Sequence, residues 1–290
     1  MEVNDILANP RNLKRRKVIN IVMLTLSVVS ALIAILPLVY IFFYTTSAGI
    51  SALNIDFFTQ LPKPVGEDGG GIANAIVGSI EIVGLGALFG IPIGLLAGIY
   101  VAEYSNSQLA NLVKFVTDVL SGVPSIIIGI FAYGVIVLQT KSFSAVAGGF
   151  ALGILMIPTV TRITEEMLKL VPLSLREASL ALGISRWKTT LKIVLRTASG
   201  GIITGVLLAI ARAAGETAPL LFTSFGNSFW SESINSPTAS LPVQIFNYAI
   251  SPYEEWHKKA WAGAFVLIAL VFVVSLIVRI FTRNKFSQSI

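Results

Sequence analysis

Residues 176–196 read REASLALGISRWKTTLKIVLR, a hydrophilic, basic stretch set between two long apolar runs. Pro172 opens the approach to it, and Ser174 suits a helix N-cap, because a short hydroxyl side chain accepts from an orphan backbone N–H. Residues 175–182 favour a helix, Gly183 suits its C-terminal stop, and residues 186–195 favour a second helix. The spacing predicts helix, glycine turn, helix, with Leu180, Ala181, Leu182 and Trp187 as apolar knobs. A helical hairpin between membrane runs offers a partner protein a surface that transmits rigid-body movement. The plainer alternative is a hairpin lying on lipid headgroups.

The runs around it set the fold class. The chain has 290 residues, 54% of them hydrophobic and 12% charged, whereas soluble domains carry about 25% charged residues. About 20 apolar residues span a bilayer. Six runs qualify, at residues 18–44, 72–101, 113–138, 143–160, 201–221 and 260–281. The expectation is an all-α, polytopic membrane helix bundle with about six transmembrane helices. The first run is too long for a secretory signal and no small-residue cleavage site follows it, so it reads as a retained helix. With no cysteine, disulfides and thiolate metal sites are excluded.

The net charge of +6 reports orientation rather than nucleic-acid binding. Arg11, Lys14, Arg15, Arg16 and Lys17 precede the first run. Arg162, Lys169, Arg176, Arg186, Lys188, Lys192 and Arg196 lie between the fourth and fifth, and Arg283 and Lys285 follow the sixth. The alternate loops hold Lys63, Lys141, Lys258 and Lys259 among the acids Asp56, Glu67, Asp68, Glu232, Glu254 and Glu255. Short cytoplasmic loops retain Lys and Arg. Both termini and the hairpin are therefore expected in the cytoplasm of a multi-pass protein of the cell membrane. The organisation expected is a basic N-terminus (1–17), a first span (18–44), an external loop (45–71), a core domain (72–282) containing the cytoplasmic segment 166–199, and a short tail (283–290).

Gly86, Gly90, Gly94 and Gly98 recur at i, i+4 in the second run and line one stripe, which lets membrane helices approach closely. Pro92 is expected to kink that helix. Pro124, after Gly122, is expected to divide the third run into an interfacial piece holding Asp118 and a spanning piece from Val123. Asp118 itself reads as solvated or as a cap. Trp230, Trp256 and Trp261 suit an interfacial belt.

The fifth run, GIITGVLLAIARAAGETAPLLF, carries the chemistry. At about 1.5 Å per residue from Gly201, Arg212 lies roughly 16 Å deep, near the middle of a ~30 Å core. Glu216 follows at i+4, so on a continuous helix the two groups share a face and can pair. Unpaired charge at that depth costs about 3 kcal/mol or more. One reading is a structural ion pair locking the bundle. The other is a substrate-path site: the guanidinium fork suits phosphate-like oxygens, and Glu216 can orient it or accept from a protonated oxyanion, favouring hydrogen phosphate over sulfate. Pro219 removes the helical bond to the Gly215 carbonyl and loosens the helix beside Glu216. Glu81, roughly 13 Å from the outer end of the second run, faces either a water-filled path or an arginine of another subunit.

No GxxxxGK[ST] phosphate loop is present, so nucleotide-driven work must come from a partner. His257 is the only histidine, and no HExxH, Ser-Lys or Asp-Asp pattern occurs, so no catalytic residue and no metal site is assigned.

Glu177, Ala178, Gly183, Ile193 and Leu195 fall at the spacing of the EAA loop of ABC-importer permeases, with Ser179 in place of the second alanine and Arg196 in place of the closing proline. GGIANAIVGSI (70–80), IPIGLLAGIYVAEY (91–104), SGVPSIIIGIFAY (121–133) and EASLALGISRW (177–187) extend the likeness. The chain resembles the PstA-type permease subunits of bacterial phosphate ABC importers. ARAAGETAPLLFTS (211–224) discriminates, since PstC-type sisters usually follow GET with Met. The resemblance implies a type I ABC-importer permease fold. It implies a PstC-like permease partner, an ATPase homodimer and a phosphate-binding protein outside. ATP and Mg would sit on the ATPase, and this chain would hold no cofactor. It implies a substrate path through Arg212 and Glu216, matched by RAxGET, and ATPase coupling through Glu177, Ala178, Ser179, Leu182, Gly183 and Trp187. Sulfate or molybdate as cargo, and a passive anion channel, are the alternatives.

Overall fold

The computed structural model describes residues 10–67 and 69–286; residues 1–9 of the basic N-terminus, Asp68 and residues 287–290 of the tail lie outside the described residues. No strand occurs among the described residues. Among the described residues five helices are long and apolar enough to cross a membrane, and a bent pair has the composition of a sixth, as a broken span or a re-entrant loop.

Helix α1 (Pro10–Gly49) runs past both ends of the expected span and takes in Lys14–Lys17, since long basic side chains tolerate a helix at the membrane surface. A short helix α2 (Ile55–Thr59), capped by the Asn54 side chain, follows. Helix α3 (Ala73–Glu103) carries the glycine stripe. Helix α4 (Gln108–Gly122) starts at Ser107, whose hydroxyl accepts from the Ala110 N–H. Helix α5 begins at Ser125–Ala132 and continues through a π-turn at Tyr133–Val137 to Leu138–Thr140. Pro124 stands between α4 and α5, and their axes meet at 104°. The proline lacks the N–H that would continue α4, so the two pieces part where the sequence places the break.

Helix α6 (Ala145–Lys169) continues past the expected limit at Val160, because residues 165–169 are good helix formers and residues 161–169 contain no proline or glycine. Arg162 and Lys169 therefore sit on α6 rather than in a loop. The hairpin consists of α7 (Leu173–Ala181) and α8 (Arg186–Thr189). Helix α8 runs through a π-turn at Thr190–Val194 into α9 (Leu195–Ala214), making one continuous 29-residue helix rather than a hairpin arm and a separate span. Arg196 stands where the motif closes on proline, and an arginine does not interrupt helical bonding.

The fifth span ends sooner than expected. Helix α9 stops at Ala214, residues 215–217 are non-helical, and α10 (Ala218–Thr223) starts anew with Pro219 in its first turn. Pro219 does more than loosen the helix: with Gly215 as the cap, it ends it. Helix α11 (Leu241–Ala249) and the long α12 (Glu254–Phe286) complete the chain, so the segment 223–259 holds a helix of its own and the last span starts before Ala260.

Helices α3 and α6 form the most extensive pair. Gly86, Gly90, Gly94 and Gly98 are all buried. A Cβ on Gly90 would stand 2.5 Å from the Gly153 oxygen, and one on Gly98 2.6 Å from the Thr161 oxygen. Side-chain-free surfaces are what let two backbones reach this distance in lipid. Helix α9 packs on α6 and α12, while α10 packs on α5, where a Cβ on Gly129 would stand 2.5 Å from the Pro219 Cα. Helix α1 lies against α12, with Tyr44 on Trp261 and Phe42 on Phe265.

Candidate functional site

Arg212 lies in the last turn of α9, where the helix dipole favours a cation. It is exposed on the surface of the chain, in a stripe with Thr204, Leu208 and Gly215 that turns away from the core. Glu216 is half-buried in the break between α9 and α10. The expected i, i+4 pairing is not found: the helix that would carry it ends at Ala214, and no ion pair joins Arg212 to Glu216 among the described residues. Glu81 is half-buried on α3 and is joined to neither by any ion pair among the described residues. Arg212, Glu216 and Glu81 thus have no ion-pair partner among the described residues.

The hairpin lies at the basic end of the bundle. Gly183 adopts φ +76, its N–H donates to the Leu180 oxygen at 2.9 Å, and the Ile184 N–H donates to the Ser179 oxygen at 3.2 Å. This is the glycine C-cap that satisfies the last carbonyls of α7. Glu177, Ala178, Leu182, Gly183 and Trp187 are exposed, Leu182 by 80% and Trp187 by 61%. The Lys188 ammonium stands 5.5 Å from the centre of the Trp187 ring. Ser179 differs: its side chain is buried, and its hydroxyl lies 2.8 Å from that of Thr189 across the hairpin. It ties the two arms together and presents nothing to a partner.

Sequence reasoning missed the charge network behind the hairpin. Arg176 pairs with Glu103 at the end of α3 and donates to the Leu168 oxygen of α6 at 3.0 Å. Lys114 of α4 and Lys169 both reach Glu165, at 3.4 and 2.5 Å. Asp118 is solvent-exposed and also paired, with Arg162 at 2.6 Å, rather than simply solvated or capping. The i, i+4 spacing of Glu165 with Lys169 and of Arg162 with Glu166 is visible in the sequence. The contacts to α3 and α4 are not, because the partners lie far apart along the chain.

At the opposite end, a cavity of about 540 Å³ is lined by Lys63, Asn227, Gln244, Asn247, Tyr248 and Trp256 among others. Burial raises the Tyr248 hydroxyl above its ordinary pKa, so it stays neutral.

Residues 90–286 match the family of binding-protein-dependent transport system inner membrane components. The chain is 48% identical to the phosphate transport system permease protein PstA of Haemophilus influenzae, over 93% of this chain and 96% of that one. It is 45% identical to PstA of Yersinia pestis, over 92% and 90%, and 36% identical to PstA 1 of Mycobacterium tuberculosis, over 90% and 88%. Among solved structures, an inward-facing MetNI methionine ABC transporter superposes with a TM-score of 0.60 at 19% identity, covering 73% of this chain and 95% of that one. A bacterial alginate ABC transporter, in complex with a periplasmic protein bound to an alginate pentasaccharide, superposes with a TM-score of 0.57 at 13% identity, covering 96% of each chain. These two likenesses bear on the fold, which is that of ABC-importer permeases. Because the relatives match along nine-tenths of its length, the chain belongs to the PstA family of phosphate transport system permease proteins.

Proposed function

We propose that this chain is one permease half of an ATP-driven inorganic phosphate importer, lining the substrate path with Arg212, Glu216 and Glu81 and engaging its ATPase through the α7–α8 hairpin. The family assignment supports the cargo, and one observation supports the path: Arg212 is exposed on the chain surface in the last turn of a helix apolar enough to cross a membrane. An arginine facing hydrocarbon costs about 3 kcal/mol or more. The stripe of Thr204, Leu208 and Arg212 is therefore read as facing a second permease and the water-filled path between the two, not lipid. A planar fork of donors there suits a tetrahedral oxyanion. Glu216, held in non-helical backbone beside it, suits a protonated one.

The remaining parts follow from the same reading. A PstC-like chain is the second permease, an ATPase homodimer seats under Leu182 and Trp187, and a phosphate-binding protein delivers cargo from outside. The basic end then faces the cytoplasm with both termini, since short cytoplasmic loops retain Lys and Arg. ATP and Mg belong to the ATPase. This chain is a transport subunit and carries out no chemical step.

Reconstitution of the chain with the second permease, the ATPase and the binding protein in vesicles tests the reading. Phosphate uptake that requires ATP is the expected result. Uptake independent of ATP would make the assembly a passive channel. Stronger competition by sulfate or molybdate than by unlabelled phosphate would assign it another oxyanion.

A further inference from the structure

We infer that Arg176 is the pin through which the hairpin drives the α3–α6 pair, a positioning residue for coupling rather than a docking contact. The inference rests on the hairpin being the element that receives the ATPase. The two arms of the hairpin join the bundle in different ways. The second arm is continuous with α9 and so with Arg212. The first arm, α7, follows α6 through the non-helical residues 170–172, so no continuous helix joins it to the bundle.

Arg176 spans that break. One end of its guanidinium pairs with Glu103, the last residue of α3, and the other donates to the Leu168 oxygen in the last turn of α6 at 3.0 Å. Both side chains of the ion pair are only 19% exposed, against 57% and 60% for Arg162 and Asp118. Water and salt weaken the Arg176 pair correspondingly less. Only a forked cation holds two acceptors on two different helices in fixed directions. Helices α3 and α6 are in turn locked by their glycines, and α3 carries Glu81. A displacement of the hairpin therefore has two outputs: along the continuous helix to Arg212, and through Arg176 to the body bearing Glu81. Movement of both against the second permease is what changes the access of the path between the two chains.

The test uses the full reconstituted assembly and follows phosphate uptake, ATP hydrolysis and retention of the ATPase in parallel. Arg176→Lys keeps the charge but loses the fork. We expect uptake per ATP hydrolysed to fall about tenfold, the loss of one shielded charge-assisted contact, with the ATPase still bound. Glu103→Gln approaches the same contact from the other side and is expected to shift the ratio in the same direction, by less. The exchange Glu103→Arg with Arg176→Glu restores the ion pair but not the bond to Leu168, so partial recovery is expected. An unchanged ratio in both Arg176→Lys and Glu103→Gln would overturn the inference. So would loss of the ATPase from the Arg176→Lys assembly, which would mean that Arg176 shapes the docking surface. Failure of the underlying reading looks different: the unaltered assembly would transport without an ATPase.

Discussion

The α3–α6 interface and the exposed stripe of α9 are both made largely of small and apolar residues at i, i+4 spacing, yet they do opposite things. On α3 the stripe meets backbone: Gly86, Gly90, Gly94 and Gly98 are buried against α6. On α9 the stripe of Thr204, Leu208 and Arg212 is exposed on the surface of the chain. The first region holds the subunit together. The second is half of something, because a guanidinium at membrane depth without a counter-ion is not a stable end state. The same periodicity closes a fold in one place and leaves an interface open in another, and the occupant of the facing surface separates the two.

The contrast breaks most visibly at Gly90. Gly90→Val drives a side chain into the Gly153 backbone and is expected to cost roughly 3 kcal/mol, removing the protein from the membrane fraction. Gly84 has nothing within 4 Å of where its Cβ would lie, so Gly84→Ala should accumulate normally. Equal accumulation of the two variants, measured by quantitative blotting of membranes, would mean the interface is not the lock described here. Arg212→Lys tests the open stripe. Uptake should fall on the order of tenfold to a hundredfold, since the fork and its charge-assisted bonds are lost, while the assembly stays intact on gel filtration. Uptake near that of the unaltered protein would remove Arg212 from the path.

A smaller effect is expected at the hairpin. Leu182→Ala together with Trp187→Ala removes two exposed apolar knobs around the turn, and ATPase retention should weaken by about 2 kcal/mol, as for a truncated interface anchor. Pull-down against the intact chain measures it, and undiminished retention would move the docking surface elsewhere. The smallest effect belongs to Ser179→Ala. Losing its bond to Thr189 should cost about 1 kcal/mol, seen as faster amide exchange across the hairpin with the ATPase still bound. Loss of the ATPase itself in that variant would make Ser179 a contact rather than a tie.

Legibility in the sequence followed the range of the physics involved. The bend at Pro124 and the stop at Gly183 were readable because a missing N–H and a left-handed turn are properties of single residues. The glycine stripe was readable because helical period is local. The break after Ala214 was half readable: Pro219 pointed to it, but whether a helix bends or ends there depends on what α10 packs against, which is α5 around Gly129. The Arg212–Glu216 pairing failed for that reason, since i, i+4 geometry exists only while the helix continues. Arg176 went unread because its partners lie at Glu103 and Leu168, and nothing in local spacing brings those three together.

By itself, then, the sequence determined the membrane class, the hairpin and its turn, and the presence of ionisable groups within apolar runs, because each follows from composition or from neighbours a few residues away. Only the tertiary structure decided that Ser179 faces inward, that Arg176 joins three helices, and that Arg212 is exposed on the surface of the chain. Those depend on which helices meet, and the meeting is set by backbone approach at glycines and by charges brought together from distant parts of the chain.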